Sequence, residues 1–193
     1  MRLILLLSLL VLSACKTTPE NAKLYKTEQL ACDVGIFASC TSLGNRYRLD
    51  RNTASLGENE AFELYERACD GGDSNGCDNL SSMYKQGRGT QKDYKKAFHF
   101  AQISCEKGSA QGCSNFGVFY TEGKSIQRDF VKANQLFNRA CIRGAATACY
   151  NIGNSYNRSG NLKSNNTPAI SYYKKACRLG LTKACSRLSA AGL

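Results

Sequence analysis

The chain has 193 residues, of which 26 are Lys or Arg, 15 are Asp or Glu and 11 are Cys, with one His, no Trp and a formal net charge of +11. At 42% hydrophobic and 21% charged it has the composition of a folded protein, and its length fits one domain or a repeat array. The lone His excludes multi-His metal sites. The absence of Cys-x-x-Cys excludes common zinc spacings and thioredoxin-like redox motifs, and no glycine-rich phosphate loop supports nucleotide chemistry, so neither a metal nor a cofactor is expected.

Residues 1–15 read MRLILLLSLLVLSAC. Arg2 is a minimal positive segment, and Leu3–Leu12, apolar but for Ser8, is ten residues long. That is too short for a permanent bilayer span and matches the hydrophobic stretch of an export signal. Leu12-Ser13-Ala14-Cys15 resembles the lipobox of bacterial lipoproteins. The resemblance implies cleavage before Cys15, a diacylglycerol thioether on its sulfur and an acylated N-terminus, which together suffice for stable anchoring. With Lys16 rather than Asp next, it further implies the outer membrane of the cell envelope, facing the periplasm. The expected organisation is a lipoprotein signal peptide at 1–14, a lipidated linker at 15–22 and a repeat solenoid at 23–193. Cleavage removes Arg2 and leaves +10. The charge is spread in pairs such as Lys95-Lys96 and Lys174-Lys175 with no run of five, and an exported protein rarely meets nucleic acid. It reads as a solvated helical surface, with attraction to anionic lipid, glycan or acidic protein as the alternative, and no nucleic-acid partner is expected.

The other ten cysteines form five pairs, each eight positions apart: Cys32/Cys40, Cys69/Cys77, Cys105/Cys113, Cys141/Cys149 and Cys177/Cys185. The leading members from Cys69 onward recur every 36 residues and the first step is 37, a period that means a stacked array. Three after each leading cysteine stands a glycine (Gly35, Gly72, Gly108, Gly144, Gly180), and eight before stands Ala61, Ala97, Ala133 or Ala169. Three after each trailing cysteine is apolar (Leu43, Leu80, Phe116, Ile152, Leu188), four after is small (Gly44, Ser81, Gly117, Gly153, Ser189), and seven after is Tyr47, Tyr84, Tyr120 or Tyr156. These offsets are helical. Each trailing cysteine is expected to start a helix A. A Gly-containing loop such as Gln86–Gly89 follows, then a helix B opened by caps such as Asp93 and Asp129 and ending at the leading cysteine, where the glycine takes a left-handed conformation. The small residues allow close helix approach. Residues 20–33 read as a lone helix B and 181–191 as a terminal helix A, with four A-B pairs between, about ten helices in all. No hairpin buries its apolar face alone, so stacking gives an all-α, right-handed α/α solenoid with a concave side. The cysteine pairs read as disulfide staples from one helix B to the next helix A, because all five share one spacing, whereas a catalytic pair would be singular.

The pattern A-C-x-x-G-x-x-x-[AG]-C-x-x-[LFI]-[GS]-x-x-Y, as in Ala68–Tyr84, resembles Sel1-like repeats, relatives of the tetratricopeptide repeat, over nearly all of the chain after Lys23. The cysteine spacing resembles the cysteine-rich, Hcp-type secreted members. Departures are the extra residue near the first repeat, Ser39 before Cys40, Ser104 before Cys105, and no tyrosine after Cys185. The resemblance implies a ligand groove lined by helix A, one, five and eight positions after the trailing cysteine: Thr41, Asn45 and Arg48; Asp78, Ser82 and Lys85; Ser114, Val118 and Thr121; Tyr150, Asn154 and Asn157, with Arg158 adjacent. Asn side chains suit the backbone of an extended peptide, and Arg and Lys suit carboxylates.

Some Hcp-type proteins are labelled β-lactamases or penicillin binders. That chemistry needs Ser-x-x-Lys on a helix, a spacing met by Ser82/Lys85, Ser171/Lys174 and, in the signal, Ser13/Lys16, but neither Ser-Asp-Asn nor Lys-Thr-Gly follows. Ser82 and Lys85 are the catalytic candidates, both expected on the concave side. His99, between Phe98 and Phe100 on helix B, reads as a packed or surface residue, and Glu58, Glu60, Glu63 and Glu66 beside Arg67 as a solvated face. The expected function is a lipid-anchored envelope scaffold binding a protein or peptide in its groove. The alternatives are a weak β-lactamase, penicillin-binding protein or cell-wall hydrolase, and a structural envelope tether.

Overall fold

The computed structural model describes residues 19–49, 56–157, 162 and 167–193. Among these residues there are ten α-helices and no strand. The B helices are α1 (Pro19–Asp33), α3 (Leu56–Asp70), α5 (Tyr94–Glu106), α7 (Phe130–Ile142) and α9 (Thr167–Arg178). The A helices are α2 (Phe37–Leu49), α4 (Ser74–Gln86), α6 (Ala110–Glu122), α8 (Ala146–Tyr156) and α10 (Thr182–Ser189). Each helix packs on its neighbours in sequence, which builds the all-α, right-handed α/α solenoid. α1 starts at Pro19, inside the segment expected as a linker.

Local chemistry sets the helix ends. Asp93 accepts from the backbone N–H of Lys95 and Lys96, and Asp129 from that of Lys132, so both cap their B helices as expected. The trailing cysteines do not open their helices, contrary to the expectation from spacing. Cys40, Cys77, Cys113, Cys149 and Cys185 are each the fourth residue of α2, α4, α6, α8 and α10, respectively. The reason lies in the connection. Gly72, Gly108 and Gly144 have φ of 96°, 101° and 90°, which reverses the chain at once, and the next residue already serves as the cap. Thus Asp73 accepts from Asn75 N–H and Ser109 from Gly112 N–H. The leading cysteine accordingly sits in the last turn of B and the trailing one in the first turn of A.

All five pairs are bonded as expected: Cys32–Cys40, Cys69–Cys77, Cys105–Cys113, Cys141–Cys149 and Cys177–Cys185, with Cα–Cα distances of 4.3–4.8 Å. Cys40, Cys77, Cys113 and Cys149 are wholly buried, and Cys185 is partly so. Thiol–disulfide exchange needs access to a sulfur, so burial closes these four cysteines to a redox partner and leaves them as core staples, not a surface site. Five disulfides point to an oxidising, extracytoplasmic location. Among the described residues no helix is long and apolar enough to cross a membrane.

Ala61, Ala97, Ala133 and Ala169 are buried throughout, as are Leu43, Leu80, Ile152 and Leu188. Tyr84 and Tyr120 are buried, but Tyr156, the last residue of α8, is 54% exposed and stacks on Tyr172 at 5.9 Å. The core is a chain of four clusters bridged by side chains that touch two of them: Tyr47, Phe98, Phe116, Tyr150 and Cys177.

The close approach at Gly44, Gly117 and Gly153 has a specific partner. A Cβ on any of the three would stand 2.7 Å from the ring of Tyr65, Phe137 or Tyr173, respectively, each four residues before a leading cysteine. In the remaining repeat that position holds Ala101, and there the small residue is Ser81, whose hydroxyl donates to the Ala97 carbonyl at 2.7 Å. The ring and the glycine therefore form one packing device, replaced as a unit by alanine and serine.

Candidate functional site

Consecutive A helices also touch one another, α2 with α4, α4 with α6 and α6 with α8, to an extent that consecutive B helices do not share. The A helices therefore form the inner wall. Polar side chains cross from each A helix to the next. Asn115 Nδ2 donates to Asp78 Oδ1 at 2.6 Å, Lys85 Nζ pairs with Glu122 Oε1 at 2.7 Å and Arg187 Nη1 reaches the Tyr150 hydroxyl at 3.5 Å. These three pairs are 37 residues apart, one more than the repeat, whereas Thr147 and Gln111 meet across α6 and α8 at 36. The Ser114 and Thr147 hydroxyls lie 3.3 Å apart on the same seam.

The groove residues read from the sequence are divided by these contacts. Arg48 and Asn154 are exposed, while Asn45, Asp78, Ser82, Lys85 and Tyr150 are partly buried along the wall. Asn45 Oδ1 accepts from the Tyr65 hydroxyl at 2.8 Å and from Asn79 Nδ2 at 3.4 Å, and Asn154 Oδ1 accepts from the Tyr173 hydroxyl at 2.8 Å. Asn157, Thr41 and Ser114 are only 5%, 7% and 1% exposed, so they sit inside and not on the wall. Burial pushes the Tyr65 and Tyr173 phenols above their ordinary value, which keeps both as donors. Cys15 and Arg158 lie outside the described residues.

The Ser82/Lys85 pair does not form a catalytic dyad. Lys85 is drawn away to Glu122 and lies 5.2 Å from the Phe119 ring centroid, while Ser82 Oγ accepts from Gln86 Nε2 at 2.8 Å. A lysine held in an ion pair one repeat away activates no hydroxyl on its own helix. Ser171 and His99 are exposed on B helices. Among the described residues no three His, Cys, Asp or Glu side chains converge as a metal site would require.

Three hollows lie along the wall, the first two sharing part of their lining. One of about 120 Å³ lies between α2 and α4, lined by Arg48, Tyr65, Asn79, Ser82, Met83, Gln86 and Arg88. The next, about 220 Å³, shares Ser82 and Gln86 with it and adds Ser81, Lys85, Asn115 and Phe119. The largest, about 690 Å³, lies among α6, α7 and α8, with Val118, Phe130 and Phe137 among Thr121, Glu122, Asn134, Asn151, Asn154 and Ser155. Asn79, Asn115 and Asn151, two after their trailing cysteines, were not among the expected residues, although their recurrence is visible in the sequence. Phe130, Asn134 and Phe137 come from helix B and were missed because the groove was drawn from helix A alone.

Asp78 supplies a pH-dependent term. Burial pushes its carboxyl above the ordinary value, and the Asn115 hydrogen bond pulls the other way without cancelling it. The folded chain thus holds this proton more tightly than the unfolded chain, so the contribution to stability is full below the ordinary value of 3.8 and is lost as pH rises through the raised one. Asp78→Asn keeps an acceptor for Asn115 and removes the charge. Denaturant titrations at several pH values should show the variant more stable than wild type near neutrality, with the difference vanishing in acid. A difference independent of pH would contradict this.

No curated protein matches the chain. Among solved structures it is similar to a Sel1 repeat protein from Oxalobacter formigenes (24% identity, TM-score 0.73, 86% of this chain and 67% of that one). It is also similar to a protective antigen of uropathogenic Escherichia coli with an SLR fold (23% identity, TM-score 0.71, 86% of this chain and 36% of that one). Helicobacter pylori cysteine rich protein B matches at 25% identity and a TM-score of 0.55, over 68% of this chain and 96% of that one. The Sel1 repeat family model matches at residues 55–73, 74–109, 110–144 and 146–181, well over half of the chain. With those four repeats on a disulfide-stapled helical solenoid, the chain belongs to the Sel1 repeat family.

Proposed function

We propose that this protein is a lipid-anchored scaffold of the bacterial cell envelope that holds an extended segment of a partner protein along its inner wall. Sel1 repeats generally mediate protein–protein interaction, and the observation that carries the reading here is the line of hollows across α2, α4, α6 and α8. Successive repeats present asparagine, serine and glutamine along one face, and amides both donate to and accept from a peptide backbone. The α6–α8 cavity adds apolar surface for a side chain. The lipobox-like Leu12–Cys15 supports anchoring at Cys15, and the five disulfides fit a periplasmic address. The Ser82/Lys85 geometry gives a hydrolase no support.

Photo-crosslinking in the intact envelope tests this. A photoreactive residue at Asn151 or Ser155 should label a discrete partner, whereas one at Lys95 or His99 on the opposite helices should not. Equal labelling from both faces, lost in high salt, would move the function to a charge-driven tether. In the same cells Cys15→Ala should release the protein from the membrane fraction, and an unmodified Cys15 in the mature chain would end the anchoring claim.

A further inference from the structure

The inner wall changes character along its length. At the α2/α4 end two guanidinium groups, Arg48 and Arg88, face a hollow of about 120 Å³ with Asn79, Ser82, Gln86 and the Tyr65 hydroxyl around it. Among the described residues no carboxylate lines this hollow, and Glu58 Oε1 pairs with Arg88 Nε at 3.8 Å from outside its lining. Arg48 is exposed, and its guanidinium carries five donors. In the middle, Lys85 and Glu122 neutralise each other at 2.7 Å. At the α6–α8 end the cavity of about 690 Å³ is floored by Val118 and Phe137, and its rim carries Phe130, 61% exposed, beside Val131, 71% exposed. The wall thus offers a cationic seat of carboxylate size, a neutral middle and an apolar receptacle.

We infer that the groove takes an extended peptide in one register, with a carboxylate between Arg48 and Arg88 and an apolar side chain in the α6–α8 cavity. This rests on the peptide-binding function proposed above and specifies its ligand. Two arginines with amide donors between them suit a carboxylate's two oxygens, and the described lining of the hollow carries no acid of its own. Packed helices lie about 8–10 Å apart, so the two A-helix steps between the sites span about 16–20 Å. An extended chain at about 3.3 Å per residue covers that in roughly six residues. An acidic side chain and a chain-terminal carboxylate present the same group to the arginines, and the experiment separates them.

Acetylated, amidated Gly-Ser peptides carrying one Asp and one Leu at increasing separation, and a second set with no Asp but a free C-terminal carboxylate, are titrated by fluorescence anisotropy against the mature protein with its disulfides intact. Affinity should peak when Asp and Leu are roughly six residues apart, as the span above requires. If the second set binds as tightly with Leu at the same distance from its terminus, the seat is one for a C-terminus. If only the first binds, it is one for an acidic side chain. Both results support the register. Arg48→Gln with Arg88→Gln should weaken binding roughly tenfold to a hundredfold, the range for lost hydrogen bonds to a charged group, and abolish the preference for Asp while keeping that for Leu. Asn79→Asp, which puts a like charge in the seat and leaves both arginines in place, should do the same if the double variant folds poorly. Affinity indifferent to Asp placement and to both variants, with Asn151 crosslinks retained, overturns the register but not the groove. No binding by any peptide and no crosslinks from Asn151 overturn both.

Discussion

Reduction of the five disulfides is expected to unfold the solenoid at room temperature without denaturant. Each bond joins cysteines eight apart, and closing so short a loop removes enough chain entropy from the unfolded state to contribute about 2.5 kcal/mol. Five such bonds contribute about 12 kcal/mol if additive, against a total stability of about 5–15 kcal/mol for ordinary domains. A solenoid has little else to draw on, because each hairpin packs only on its neighbours. The bonds also differ. Cys105 and Cys113 are 1% and 0% exposed within the central stack, whereas Cys177 and Cys185 are only partly buried at its end. Replacing the central pair by alanine should cost about 2–5 kcal/mol, the usual range for a native disulfide, and replacing the terminal pair should cost less. Circular dichroism melts of oxidised, reduced and pair-deleted protein check both points. A reduced chain that keeps its helicity and melting temperature would show that helix packing alone carries the fold. Peptide mapping without reductant should find only the eight-apart linkages among these ten cysteines.

Gly44→Ser is expected to destabilise the protein by about 1–3 kcal/mol, the range for overpacking a core, because its Cβ would stand 2.7 Å from the Tyr65 ring. Tyr65→Ala alone should cost about 3–5 kcal/mol, as for removal of a large aromatic ring from a core, and it strips Asn45 of a donor. Made together, the two should cost less than the sum by at least about 1 kcal/mol, a coupling typical of residues in contact. The structure supplies the precedent, since Ser81 and Ala101 occupy the same two positions one repeat on, with the Ser81 hydroxyl donating to Ala97. In the double variant the new hydroxyl would meet the Ala61 carbonyl, which holds the place of Ala97. Additive costs in urea unfolding would mean that the glycine is required for some reason other than the ring.

Much of this was legible before the fold. The 36-residue period, the hairpin count, the staples, the reversing glycines and the Asp93 and Asp129 caps all arise from interactions within about a dozen residues, or from a position repeated along the chain, and such signals survive in one dimension. The fine start of helix A was misplaced by three residues, at Cys77 and Cys149 as at the others, because the cysteine spacing marks where the sulfurs meet and not where the backbone begins to turn.

The site was less legible, for a reason that Asn154 and Lys85 make plain. Helical phase places both on the inner wall, and both are partly there, but phase says nothing about which groups already have partners. Asn154 accepts from Tyr173 on the following helix, Lys85 pairs with Glu122 one repeat on, and Asp78 takes the amide of Asn115. Lys85–Glu122 and Asp78–Asn115 both join α4 to α6 at a separation of 37, one more than the repeat, whereas Asn154–Tyr173 joins an A helix to the B helix that follows it. Which polar groups meet is a property of how two helix surfaces interlock, and no single repeat encodes it. The sequence by itself thus determined the hairpin, its number and its covalent staples, all local in origin, while the tertiary structure alone decided which polar groups the packing consumes and which, like Arg48, it leaves facing an open groove.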